Sequence, residues 1–455
     1  MKEQAIQAGF ARVNVTATQP TPLGGYGNTS KRLHKNVLDG MFITALALRD
    51  EDGETVLLLS GDALHLKSNL VNTLAETLAP EGIRRTHIIL SATHSHSETM
   101  IDNDDPELPY MNEYRALYAR KLEEVCRRAL ADLRPCEVYS GTVQTCGMNF
   151  VRHYIQENGA VCGDGFGSPK ASPIVGHTSE VDPSMHIIRF ARGEFEDIIF
   201  VNWRGHATKT GGGKKYNLSA DYPMAMRMRI EQKLLCHAVF FQGACGNVNT
   251  QSRIPAEKNT EDYLLFGSQL AQYVIDAVEG GVLEKRKTAG LRTVQVIHHA
   301  RLNVPTEREI ELSRKVQKVW VETNDRKLAV AAGDPAVIHS PYHANSVMLR
   351  SRLTGPYDLE LNAVAMGEIA FLSAPNELFC GYVREVTEAS PFATTAYLGL
   401  ANDYRGYVPS AKAYDHGCYE ADCTRCAKGT GEEIADCFTA MLKELKAQLD
   451  AEEAG

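Results

Sequence analysis

Three features of the sequence predict an α/β fold. Over roughly the first 300 residues, short apolar runs rich in β-branched side chains alternate with longer stretches whose apolar residues recur at helical spacing. Several of those runs stop at glycine, aspartate or histidine, as strands do when they give way to a turn or a site. No internal repeat, low-complexity tract or Pro/Gly/Ser-rich linker interrupts the pattern.

Residues 55–60 (TVLLLS) read as a strand ending in Gly61-Asp62, and residues 68–78 as a helix. The run 87–93 (HIILSAT) is a second strand. Residues 112–133 form the clearest helix, with Tyr114, Leu117, Tyr118, Leu122, Val125, Ala129 and Leu133 on one face. Strands follow at 198–203 and 237–244, and helices at 219–235 and 262–278. Ser219 is the expected N-cap of the first of these helices, with Asp221 in its first turn. Beyond residue 285 the character changes. A long strand at 291–304 and a charged helix at 307–322 lead into a polar stretch, 325–346, with Gly333, Pro335 and Pro341. That stretch reads as a connection. Strands return at 359–373 and 395–400, and an amphipathic helix at 431–449 ends the pattern. One catalytic unit over 1–455 is expected, with sub-parts 1–285 and 286–455.

Composition bounds the function. Hydrophobic residues make up 44% and charged residues 23% of the 455, an ordinary globular balance. A net charge of −9 argues against nucleic acid or an anionic membrane as the main partner. No run of about 18 apolar residues suggests a transmembrane helix. The N-terminus does not read as a secretory signal. The eleven cysteines mostly stand alone in apolar stretches, as reduced thiols of a cytoplasmic protein do. The expected partner is a small-molecule substrate, and a homo-oligomer is compatible with the sequence.

Five segments carry chemistry. Thr93-His94-Ser95-His96-Ser97 follows a strand, where open α/β sheets place ligands. The two histidines fit a metal and a substrate contact, or two satisfied side chains at a strand end. Asn202-Trp203-Arg204-Gly205-His206 repeats the arrangement, and Gly211-Gly212-Gly213 just beyond suggests a mobile loop. Taken alone, His206 is as readily structural. Gln242-Gly243-Ala244-Cys245-Gly246-Asn247-Val248-Asn249 runs a strand into a glycine-rich turn that places backbone amides at a site or simply turns the chain. Glu377, in Ala374-Pro375-Asn376-Glu377, is a metal ligand or a first-turn carboxylate. Tyr404, Tyr407 and Tyr419 belong to a tyrosine-rich C-terminal motif, where packing is the usual role.

In this order the five segments resemble the catalytic domain of the neutral/alkaline non-lysosomal ceramidase family, from the segment 9–27 to Glu420. The resemblance implies mixed β-sheets flanked by helices. It also implies one catalytic zinc ion per chain, held by His94, His206, Glu377 and Tyr407. Tyr419, twelve residues after Tyr407, matches the family's second catalytic tyrosine. His96 and Arg152 match residues lining the same site. The implied chemistry is attack of metal-activated water on an amide or ester carbon, with Tyr419, His96 and Arg152 stabilising the oxyanion. Asp62 and Asp221 are candidates to orient the histidines, or structural acceptors.

Two departures shape the expected substrate. Asn249 stands where ceramide-cleaving members carry a serine, and a side-chain amide is no nucleophile, although it can donate to substrate. The pattern also ends in a helix soon after the tyrosine motif, where the ceramidases continue into an immunoglobulin-like domain, so the resemblance is to the catalytic domain alone. A small polar amide, ester or lactone is therefore expected rather than ceramide. Rival readings are a metal-dependent phosphoesterase or sugar-active enzyme, and a non-catalytic binding protein. Iron or manganese suits the same ligands. Cys418, Cys423 and Cys426, with His416 nearby and Cys437 further on, loosely match a metal-binding spacing; thiols near the active-site rim are the alternative.

Overall fold

The run 87–93 forms the strand Ile88–Ala92, buried along its whole length, and the run 198–203 forms Ile198–Trp203, equally buried. Both lie in a nine-stranded mixed sheet. In the computed structural model, which describes residues 4–26, 32–102, 105–212 and 215–454, eight of its strands stand side by side. Their order is His237–Gln242, Ile198–Trp203, Ser184–Ala191, Arg134–Gln144, Ile6–Asn14, Phe42–Arg49, Thr55–Gly61 and Ile88–Ala92. The short strand Glu284–Lys285 adds to Arg134–Gln144. Only the two outermost pairs on this path are parallel. Parallel strands buried on both faces read as continuous apolar runs, which is why these were visible in the sequence.

A second sheet has four strands, Leu291–Ala300, Tyr357–Met366, Ile369–Ser373 and Thr394–Leu398, the last pair parallel. The two sheets face each other across a core that includes Leu46, Phe190, Phe200, Phe241, Phe371 and Leu398. Helices cover the outer faces. Ser68–Leu78 and Tyr110–Ala131 pack on one half of the large sheet, and Asp221–Leu234 and Tyr263–Glu279 on the other. Cys380–Glu388 and Thr430–Ala454 cover the small sheet. The result is four layers, helix, sheet, sheet, helix, consistent with the α/β class of mixed sheets.

Two local expectations need correction. Ser219 does not cap the helix, which runs Asp221–Leu234 from Ala220 with no side-chain cap. Its hydroxyl instead donates to Asp39 Oδ2 at 2.6 Å and accepts from the Asp221 amide. The stretch 325–346 is no mere connection, since it contains the helices Arg326–Ala331 and Pro341–Arg350. Asp325 and Ser340 cap them and Pro341 opens the second, so residues that looked like breakers are start signals. With Glu307–Thr323 they form a three-helix module around Val316, Ala329, Ile338, Ala344 and Val347. Gly27, at the end of the family-like N-terminal segment, and Gly213, in the glycine loop, lie outside the described residues. Among the described residues no helix is long and apolar enough to cross a membrane.

Candidate metal centre

Every sequence-predicted ligand follows the carboxyl end of a strand. His94 comes two residues after Ile88–Ala92 and adopts a left-handed backbone, φ 62°. A non-glycine residue held there stores strain that surrounding structure must impose, a feature concentrated at functional sites. Ser95 bridges to Ala207, so the loops bearing His94 and His206 are joined directly. Glu377 and Tyr407 are register partners in a two-stranded parallel ribbon beyond the small sheet. The turn after His237–Gln242 closes the gap: Gly246 N–H donates to Leu378 O at 3.1 Å. A Cβ on Gly246 would lie 2.4 Å from Glu377 O, so glycine permits this approach.

The side chains converge. Glu377 Oε2 stands 3.2 Å from His94 Nε2 and 3.1 Å from His206 Nε2, all three residues being almost fully buried. Cys245 Sγ joins them, and one ligand atom from each of the four lies within 4.8 Å of the others. The protons on these rings are committed elsewhere. His94 Nδ1 donates to Leu64 O at 2.8 Å and His206 Nδ1 to Val248 O at 3.0 Å. The Nε2 atoms therefore present lone pairs towards a carboxylate oxygen that itself has no hydrogen-bond donor. Burial and the nearby Arg152 lower the proton affinity of His206, which disfavours a doubly protonated ring as the filler of the gap. Ligand atoms about 2.0–2.1 Å from a tetrahedral ion stand about 3.3 Å apart. The observed spacings match that edge, so the residues fit a divalent cation.

Tyr407 is buried beside Glu377, with the Arg152 guanidinium 5.6 Å from its ring centroid. Burial, then the Glu377 carboxylate, push its phenol well above the ordinary value, so a phenolate there requires a cation. His96 Nε2 lies 3.3 Å from His94 Nε2, and burial, His94 and His206 keep the ring neutral.

Arg152 is pinned by Glu420 (Nε to Oε1, 2.6 Å) and by Gly246 O (2.9 Å), while Nη1 reaches His206 Nε2 at 3.4 Å. The other Glu420 oxygen pairs with His153 at 2.8 Å. Tyr419 stacks edge-on to Tyr407, ring centroids 5.9 Å apart. Asn249 Nδ2 donates to Asp164 Oδ2 at 2.6 Å. His96, Arg152, His206, Asn249, Tyr407 and Tyr419 line one cavity of about 310 Å³ with Tyr26, Asp164 and Thr208. Among the described residues no aliphatic side chain lines it. A roomier depression of about 570 Å³ beside Phe150 and His177 holds none of these converging groups.

Some candidates do not join the centre. Asp62 is taken by Arg227, at 2.7 and 3.0 Å, and Asp221 by Thr210 and the Tyr222 amide. Backbone carbonyls orient the histidines instead. Cys418, Cys423 and Cys426 do not converge on one another as a ligand set; Cys418 instead groups with His153 and Glu420. Cys437 is 3.9 Å from His298. All eleven thiols are free. Sequence reasoning missed Cys245, Asp164, Glu420 and the role of Tyr404, whose hydroxyl donates to Glu377 Oε1 at 2.8 Å. Tyr404 lay in the quoted tyrosine motif and Cys245 in the glycine-rich turn; no local signal marks the others.

The sequence matches no family model and no curated protein. Solved structures do match. The neutral ceramidase from Pseudomonas aeruginosa aligns with a TM-score of 0.72 at 16% identity, over 98% of this chain and 75% of that one. A ceramidase complexed with C2 aligns with a TM-score of 0.71 at 15% identity, over 98% and 76%. The chain has the ceramidase fold.

Proposed function

We propose that this protein is a metal-dependent hydrolase that cleaves an amide or ester bond of a small polar substrate, with zinc held by His94, His206, Glu377 and Tyr407. One observation carries the reading: the donorless Glu377 Oε2 faces two histidine lone pairs at 3.1 and 3.2 Å in a buried site. The ceramidase fold of the structural neighbours supports carbonyl chemistry. Zinc bound there supplies Lewis acidity and lowers the pKa of water to about 7.

The chain's own groups do the rest. Arg152, fixed by Glu420, points charge into the cavity and stabilises an oxyanion, with the neutral Tyr419 phenol donating from the same wall. His96, cavity-facing, is positioned to relay a proton to the leaving group. Asn249 and Asp164 offer substrate a paired donor and acceptor. A small cavity that no aliphatic side chain lines among the described residues, and an amide in place of a nucleophilic hydroxyl, favour a polar amide, ester or lactone over ceramide. Eleven free thiols support a cytoplasmic setting.

Elemental analysis tests the reading, alongside assays on amides, esters, lactones and phosphate monoesters. His206→Ala should hold one zinc fewer per chain than the unaltered protein and lose hydrolysis of carbonyl substrates. Equal zinc in both proteins, or turnover of phosphate monoesters alone, would contradict it.

A further inference from the structure

The three-helix module meets the body of the protein through Pro341–Arg350, which packs on the short helix Tyr419–Cys423. That short helix carries Tyr419 and Glu420 of the cavity. At the junction, two histidines of the module face one carboxylate of the short helix. His339 Nδ1 is 3.0 Å from Asp422 Oδ2, and His343 Nδ1 is 3.6 Å from the same oxygen. The rings stand 5.1 Å apart between centroids.

The geometry points to a second metal site here, formed by His339, His343 and Asp422 and taking a divalent transition ion such as zinc. The distances straddle the edge of about 3.3 Å expected of a tetrahedral ion with nitrogen and oxygen ligands. His339 precedes the Ser340 cap and His343 lies in the first turn of Pro341–Arg350, so the start of one helix brings both imidazoles to Asp422. His343 and Asp422 are largely buried, whereas His339 is about a third exposed and gives an ion a way in.

A hydrogen bond explains His339 but leaves His343 unexplained. Its Nδ1 is too far from Asp422 to donate, and its nearest donor is the His339 backbone amide at 3.4 Å. At 3.4 Å that contact is long and holds the Nδ1 lone pair only weakly, while the Asp422 oxygen stands 3.6 Å away, an arrangement that a cation between the two relieves. Arg350 and Glu309 also act on this junction from the module, and their charges offset one another, leaving Asp422 as the net negative group. Occupied, the site ties the module to the helix that bears Tyr419.

The site shares no residue with the centre at Glu377, so the two stand or fall separately. Zinc titration by calorimetry, with elemental analysis after dialysis, compares the unaltered chain, His339→Ala, His206→Ala and the double variant. His339→Ala should lose one zinc equivalent whether or not the first centre binds. His206→Ala should keep that equivalent and the double variant lose it. Because His339 is partly exposed, its replacement leaves a folded chain, checked by circular dichroism; Asp422→Asn in the His206→Ala background provides a second test with cobalt, whose tetrahedral absorption should disappear. Zinc uptake unchanged by His339→Ala, or no zinc on His206→Ala, would overturn the site.

Discussion

Glu377 shows how much of the chemistry rests on single atoms. One carboxylate oxygen faces His94 and His206; the other accepts from Tyr404 at 2.8 Å, a bond that fixes the rotation of the group. Outer partners of this kind typically change metal affinity by about 10–100-fold. Tyr404→Phe should weaken zinc binding by roughly that factor while the chain stays folded, measured by competition with a chromophoric chelator; unchanged affinity would remove Tyr404 from the centre. Glu420 makes a pH-dependent contribution. Burial alone would raise its pKa, but Arg152 and His153 bring it down to about 2 from 4.5. A depressed carboxylate stabilises the fold above its free pKa, and that stability is lost as pH falls from about 4.5 towards 2. The shift corresponds to roughly 3 kcal/mol. Urea midpoints down the acid limb should therefore fall less steeply in Glu420→Gln than in the unaltered chain. Parallel acid limbs would contradict the assignment.

At the scale of elements, the turn after His237–Gln242 and the ribbon of Glu377 and Tyr407 touch backbone to backbone at Gly246. Gly246→Ala forces them apart, at a cost of about 1–3 kcal/mol for overpacking. Chemical denaturation should show that loss, and metal analysis a lower zinc content, because Glu377 moves with the ribbon. Elements that carry the site were legible where burial on both faces made continuous apolar runs, as in Thr55–Gly61, Ile88–Ala92 and Ile198–Trp203. Arg134–Gln144 escaped notice because its residues are mostly polar and half-exposed, although it sits inside the sheet. His94, His206 and Glu377 stood out through motif order and resemblance. Cys245 and Glu420 did not, since what they do depends on contacts such as Arg152–Glu420, 268 residues apart, that no local pattern records.

At the scale of the molecule, the centre is divided between two sheets. His94 and His206 follow strands of the large sheet, and Glu377 and Tyr407 follow strands of the small one. The sheets are held together by the shared apolar core, in which Phe200 and Phe371 meet edge to face at 5.4 Å. Phe371→Ala should destabilise the fold by about 3–5 kcal/mol. It should also lower zinc affinity although Phe371 touches no ligand, because the two halves of the centre share that packing. Loss of stability with zinc affinity intact would mean that the loops alone hold the centre.

The most direct test of the central claim is anomalous diffraction at the zinc edge from crystals grown with zinc. The account predicts a strong peak bounded by His94, His206 and Glu377. Zinc-soaked crystals with no density between those three side chains would contradict it.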